Sequence, residues 1–123
     1  MPLDVLIVDD SAAIRKILQR VLRQTDIPIG TIFEAGDGRE ALAALTANSV
    51  GLILSDINMP NMNGLELLSE IKASETWKSV PVIMVSTEGS QPKVLEAVQL
   101  GAAGYVKKPF DATQIKEKLR AFI

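Results

Sequence analysis

Leu3-Asp4-Val5-Leu6-Ile7-Val8 is a short apolar stretch that stops in two carboxylates, Asp9-Asp10. The same punctuation recurs along the chain. Gly51–Leu54 leads into Asp56, Val82–Val85 ends in Ser86, and Gly104–Val106 ends in Lys107-Lys108-Pro109. Nearly continuous apolar runs of this length fit parallel strands of a sheet covered on both faces. As strands of one parallel sheet, they would bring three carboxylates, a hydroxyl and an ammonium to its carboxyl edge. Open α/β sheets place their ligands at that edge. Acids gathered with one lysine and one hydroxyl suit a magnesium ion and a phosphoryl group better than an apolar ligand.

Helix signals separate these runs. Ser11 is placed as an N-cap, and Ile14, Ile17, Leu18, Val21 and Leu22 follow at helical spacing. Pro28 and Gly30 mark a loop before a short strand, Thr31–Ala35. Gly36-Asp37-Gly38 is a turn signal, and Ala41, Leu42 and Leu45 stripe a second helix. Pro60-Asn61-Met62-Asn63-Gly64 is a loop that opens a third helix striped by Leu65, Leu68 and Ile71. Val80–Val85 reads as a strand with Pro81 near its start, where a missing N–H is tolerable. Trp77, in the loop before it, reads as loop packing. Pro92 opens a fourth helix carrying Val94, Leu95 and Val98, which stops at Gly101. Ala103–Val106 is the fifth strand, and Ile115, Leu119 and Phe122 line the last helix. Five βα units without a second compositional zone predict one doubly wound α/β domain over residues 1–123.

Composition narrows the chemistry. The 123 residues are 47% hydrophobic and 23% charged, which is globular and without disorder bias. A net charge of -2 argues against nucleic acid as the main partner. No apolar run is long enough to span a bilayer and no basic-then-apolar leader is present, so a cytoplasmic protein is expected. The chain has no cysteine, which excludes disulfides and thiolate nucleophiles. It also has no histidine, which excludes histidine triads, imidazole bases and histidine zinc sites.

Each motif alone has an ordinary reading. Asp9-Asp10-Ser11 can cap a helix and complement its dipole. Asp56 can be a turn residue, Ser86-Thr87-Glu88-Gly89 a capping segment, and Lys107-Lys108 a solvated pair. Their conjunction decides, because four separate loops would otherwise have to place complementary chemistry at one edge by chance.

Val8-Asp9-Asp10-Ser11, Leu54-Ser55-Asp56-Ile57-Asn58-Met59-Pro60, Met62-Asn63-Gly64, Val85-Ser86 and Tyr105-Val106-Lys107-Lys108-Pro109-Phe110 together resemble the response-regulator receiver domain. The motifs occur in order and at the family's separations along the full chain, and single-domain chemotaxis regulators are the most similar members. The resemblance implies a flavodoxin-like (βα)5 fold with a 2-1-3-4-5 sheet. It implies Mg2+-dependent phosphoryl transfer from a sensor histidine kinase to an aspartate, the imidazole coming from the partner. Asp56 would be the phosphoacceptor, and Mg2+ would be held by Asp10 and Asp56, by Asp9 through a water, and by the Asn58 backbone carbonyl. Lys108 would pair with the phosphoryl oxygens, aimed by a cis peptide before Pro109. The Ser86 hydroxyl would hydrogen-bond the phosphoryl group, and Tyr105 would turn inward. An output protein would bind the face of the fourth helix, fifth strand and fifth helix, including Lys93, Val94, Leu95, Val98, Tyr105, Lys107 and Lys118.

Some positions depart from the family pattern. Thr87 replaces the very small residue usual after the switch hydroxyl; its bulk would slow autodephosphorylation, and its own hydroxyl is the alternative to Ser86, which fits the motif register. Asn58 and Glu88 occupy the variable positions flanking the site, and Lys107 stands where many members are apolar. The expected protein is a signalling switch, catalytic only towards its own aspartate, monomeric or dimerising when phosphorylated. No output domain follows Ile123, so a stand-alone chemotaxis or motility regulator is expected. A phosphorelay intermediate, or a receiver module cut from a longer regulator or hybrid kinase, is the alternative. A flavodoxin-like electron carrier would need a Ser/Thr/Gly-rich phosphate loop where Asp9-Asp10 stands. An aspartyl-phosphate hydrolase would need a cap for which five βα units leave no room.

Overall fold

Val5, Leu6, Ile7 and Val8 are all fully buried, and alternate members enter opposite cores. That is the signature of a central strand with a helical layer on each side. The computed structural model describes residues 2–87, 91–108 and 110–122. The chain runs β1 (Leu3–Val8), α1 (Ala12–Gln24), β2 (Ile29–Ala35), α2 (Gly38–Ala47), β3 (Leu52–Ser55) and α3 (Gly64–Ala73). It continues through β4 (Val82–Ser86), α4 (Gln91–Gln99), β5 (Gly104–Lys107), α5 (Ala112–Leu119) and a closing 3-10 turn at Arg120–Phe122. All strand pairs are parallel, in the order β2-β1-β3-β4-β5.

Leu6, Val8, Ile53, Val82 and Met84 face α2, α3 and α4 through Ala41, Leu45, Leu68, Ile71 and Ala97. Val5, Ile7, Leu52, Leu54, Ile83, Val85 and Val106 face α1 and α5 through Leu18, Val21, Leu22, Ile115 and Leu119. Helix ends are set by side-chain caps, of which the sequence identified Ser11. Ser11, Asp37, Asn63 and Asp111 cap α1, α2, α3 and α5, with capping boxes at Asn63/Glu66 and Asp111/Gln114. Gly101, at φ 100°, ends α4 through bonds from its N–H to the Val98 carbonyl and from the Ala102 N–H to the Ala97 carbonyl.

Several boundaries and faces differ from the sequence expectation. β2 starts at Ile29 and not Thr31, because Leu3 pairs with Ile29 and the register then shifts. The Asp4 carboxylate fills that irregularity by accepting the Thr31 N–H at 2.8 Å. β3 covers Leu52–Ser55 where Gly51–Leu54 was expected, and β4 starts at Val82 because Val80 bonds back to Trp77 in a turn. Ile17 is 44% exposed although it fits the α1 stripe, since Leu18, Val21 and Leu22 fill the contact with the sheet. Among the described residues of α4 the buried one is Ala97, while Leu95 and Val98 are exposed. A nine-residue helix offers more than one helical stripe, and only packing selects among them. The Phe122 side chain lies outside the described residues.

Gly64 sets the distance between α3 and the sheet. A Cβ there would lie 1.9 Å from the Asp56 carbonyl oxygen, backbone that cannot rotate away. Gly64→Ala should therefore lower stability by about 3 kcal/mol, the upper range for forced overpacking. Urea unfolding of the metal-free protein measures it.

Candidate functional site

Parallel register brings the acids together. Val8 pairs with Ser55, so Asp9 and Asp56 leave the ends of adjacent strands in step, and the Asp56 N–H donates to the Val8 carbonyl at 2.9 Å. Asp9 is buried, with Oδ1 accepting the Ser11 N–H at 2.9 Å. The Asp56 carboxylate accepts the Ile57 N–H at 2.7 Å through Oδ1. Asp10 is exposed at the mouth. Each of Asp9, Asp10 and Asp56 offers one carboxylate oxygen within 4.8 Å of the other two.

Lys108 arrives from the end of β5. Ser86 pairs with Lys107, and the Lys108 N–H donates to the Ser86 carbonyl at 2.9 Å. Its Nζ lies 2.7 Å from Asp9 Oδ2 and 3.4 Å from Asp56 Oδ2, with the side chain 12% exposed. Burial alone would push this amine down. The Asp9 hydrogen bond and the charges of Asp56 and Asp9 outweigh it and hold the amine above the usual lysine range. Lys108 thus bridges the acids and lies closer to Asp9 than to Asp56.

The donor set fits a small hard cation. Magnesium takes oxygen ligands, and two of them on one ion lie no more than about 4.2 Å apart. Three carboxylate oxygens within 4.8 Å need only a slight closure, or a water, to meet that limit. Asn58 follows two residues after Asp56 in the β3–α3 loop and is exposed.

The remaining predicted residues spread over two surfaces. Ser86 is buried at the end of β4. Thr87 is exposed and, with Ile14, Ile17, Lys108 and Phe110, lines a largely apolar groove beside the acids. Tyr105 is half-buried against the α2–α4 core, and shares a groove with Lys107, Gln114, Glu117 and Lys118. Lys93, Leu95, Val98, Lys107 and Lys118 are exposed, and Val94 is partly buried. Glu88 and Pro109, including the cis peptide expected before Pro109, lie outside the described residues.

Three structural contributors escaped the sequence reading. Arg15 donates to the Asp9 backbone carbonyl at 2.6 Å and to Glu34 Oε1 at 3.0 Å, tying the acidic turn to β2. Asp37 and Asn61 join the N-terminus of α2 to the β3–α3 loop. Arg15 carries a local signal, standing four residues after the helix cap, whereas Asp37 and Asn61 are 24 residues apart and meet only in the fold.

The sequence profile of the response regulator receiver domain matches residues 5–120, and the chain belongs to that family. Chemotaxis protein CheY-3 of Vibrio cholerae is 41% identical over 94% of this chain and 87% of its own length. Chemotaxis protein CheY of Pseudomonas aeruginosa is 41% identical over 94% and 91%. Among solved structures, Vibrio cholerae CheY4 superposes with TM-score 0.88 at 33% identity, covering both chains fully. A chain of the CheX–CheY–BeF3–Mg2+ complex of Borrelia burgdorferi gives TM-score 0.90 at 30% identity, over 100% of this chain and 91% of that one. The protein is therefore a CheY-like receiver domain, consistent with two-component signalling and chemotaxis, in a family that generally binds Mg2+ at an acidic pocket. Among the described residues no helix is long and apolar enough to cross a membrane.

The charge arrangement separates the two neighbouring aspartates. Two unit charges about 4 Å apart interact by roughly 4 kcal/mol at an effective dielectric near 20. Exposed Asp10 adds repulsion, so Asp10→Asn should stabilise the metal-free protein by about 1 kcal/mol, a screened share of that figure. Asp9→Asn removes the closest partner of Lys108 and should destabilise it by about 2 kcal/mol, the value for a charged hydrogen bond. Urea unfolding of both variants without metal checks the opposite signs. Lys108 also predicts a pH dependence. Its amine is held above the unfolded value near 10.4, so its contribution is complete below about 10.4 and is lost as pH rises through the higher folded value. The stability gap between parent and Lys108→Met should accordingly shrink in strong alkali. Lys72, pushed the other way by burial, is common to both proteins and cancels in that gap.

Proposed function

We propose that the protein is a phosphorylation-activated switch whose acceptor is Asp56. The observation that carries this reading is the Lys108 ammonium 2.7 Å from Asp9 and 3.4 Å from Asp56 at the carboxyl edge of the sheet. Asp10 and Asp56 would hold Mg2+ directly, Asp9 through a water, and Asn58 through its backbone carbonyl. When bound, Mg2+ offsets the charge of the incoming phosphoryl group. A carboxylate oxygen of Asp56 attacks phosphorus, the P–N bond of a sensor kinase's phosphohistidine breaks, and the electron pair returns to the imidazole. Lys108 lies within one side-chain movement of the acceptor carboxylate and turns from Asp9 to the phosphoryl oxygens as a point charge. The Ser86 hydroxyl bonds the same group, and Tyr105 couples that bond to the output face. Thr87 and Asn58 stand beside the reacting group and, with the variable position Glu88, would set its lifetime, Thr87 by crowding the groove beside Lys108.

The output surface consists of Lys93, Val94, Leu95, Val98, Tyr105, Lys107 and Lys118. Leu95 and Val98 are 56% and 59% exposed on the helix that carries the Lys93–Glu96 ion pair, an apolar pair that suits a partner protein with an apolar face. The chain acts as a monomer over residues 1–123, with dimerisation confined to the phosphorylated form, in the cytoplasm and in chemotaxis or motility. The Borrelia burgdorferi relative found with CheX, BeF3 and Mg2+ supports a partner and a metal of this kind.

Acetyl phosphate with Mg2+ should raise the intact mass by one phosphoryl group, and Asp56→Asn should abolish the gain. Undiminished labelling of that variant removes the assignment. Trp77 packs with Leu45, Val50 and Val80 at the amino end of the sheet. Saturating Mg2+ should leave its fluorescence nearly unchanged, and strong quenching would place the metal elsewhere.

A further inference from the structure

Asp56 and Asn58 both follow the end of β3 at Ser55, in the loop to α3, and that loop is held from outside its own βα unit. Its base is closed by the Gly64 N–H on the Ile57 carbonyl at 2.8 Å. Its tip is attached to α2. Asp37, 6% exposed, caps α2 through Oδ1, which accepts the Glu40 N–H at 2.8 Å. Its other oxygen, Oδ2, accepts Asn61 Nδ2 at 2.7 Å. Next to this pair the Gly38 N–H donates to the Met62 carbonyl at 3.0 Å, and a Cβ at Gly38 would come within 2.5 Å of Met62 Cγ.

Asn61 is the one non-glycine residue with positive φ among the described residues, at 63°, and the Met62 N–H closes a tight turn onto the Pro60 carbonyl at 2.6 Å. Such a conformation costs free energy and persists only where surrounding contacts hold it. Here the contact is the carboxylate of Asp37. The cap and the loop contact use different oxygens of one side chain, so they can be separated.

We propose that Asp37 and Asn61 form a positioning pair, whose hydrogen bond holds the Asn58 segment of the loop against the acidic site and thereby sets metal affinity without contact to the metal. This rests on the reading of Asp9, Asp10, Asp56 and Asn58 as the Mg2+ site. Partners that orient ligands in this way typically govern metal affinity over one to two orders of magnitude.

The two residues permit an exchange test on the full chain. Asp37→Asn keeps an oxygen for the α2 cap but turns an NH2 towards the NH2 of Asn61. Asn61→Asp sets two carboxylates face to face. The double variant restores donor and acceptor with the partners exchanged, and Asp tolerates positive φ much as Asn does. Asn61→Gly removes only the side chain, in a conformation glycine adopts freely. Calorimetric titration with MgCl2, and hydrogen exchange of the Gly38 amide without metal, are the readouts. Each single variant should bind Mg2+ about tenfold more weakly and exchange Gly38 faster. The double variant should recover both. Parental affinity in the single variants, with only the urea midpoint lowered, would reduce the pair to a helix cap and overturn the proposal. A double variant as weak as the singles would also overturn it. A parent that fails to bind Mg2+ overturns the site reading together with the pair, and that failure is visible before any variant is made.

Discussion

Lys108 and Asp9 meet at 2.7 Å across a sequence separation of 99 residues, and the carboxyl edge of the sheet is organised around that contact. Three carboxylates crowded at the end of a parallel sheet would repel one another and draw in water or a cation. The ammonium supplies the missing charge from β5, the far edge strand. It can do so because Ser86 pairs with Lys107 and the Lys108 N–H is fixed to the Ser86 carbonyl. A slip of one residue along β5 would reverse the faces of Tyr105 and Lys107 and carry the amine away from the acids. The ion pair and the sheet register therefore depend on each other.

The two cores around this edge are built differently. On the α1/α5 side, Leu18, Val21, Leu22, Ile115 and Leu119 fill the contact with Val5, Ile7, Leu54, Ile83 and Val85. On the other side, α2 and α3 are well anchored, whereas among the described residues of α4 only Ala97 is fully buried. A helix attached through so little apolar area is an element that can shift at low cost. The half-buried ring of Tyr105 packs against the same core and opens onto the β5–α5 groove. On the proposed function, this is the contact through which the site would couple to that helix.

The acidic site is held through backbone rather than through its carboxylates alone. Arg15 grips the Asp9 carbonyl, Ser11 donates its N–H to the Asp9 side chain, and Gly64 lets α3 approach the Asp56 carbonyl. These contacts leave Asp10 exposed and reachable. On the proposed function, a site whose orientation is set from behind would exchange ions and phosphoryl groups in front without rebuilding the fold.

Much of this was legible in the sequence, because it follows from local periodicity. Apolar runs ending in Asp9-Asp10, Asp56, Ser86 and Lys108 specify strands and what stands at their carboxyl ends. Caps such as Ser11 and stops such as Gly101 need only their own neighbours. Which face a short helix buries was not legible. The stripe Val94, Leu95 and Val98 fits helical spacing as well as one through Ala97, and only the sheet beneath α4 chose between them. Ile17 was lost for the same reason on α1. Contacts between distant segments were equally out of reach: Lys108 leaning on Asp9 more than on Asp56, Arg15 bridging to Glu34, and Asp37 holding Asn61. Each is a hydrogen bond whose partners lie 19 to 99 residues apart. Local pattern determines which groups reach the edge of the sheet. Register and packing, which are properties of the whole chain, decide which of them touch.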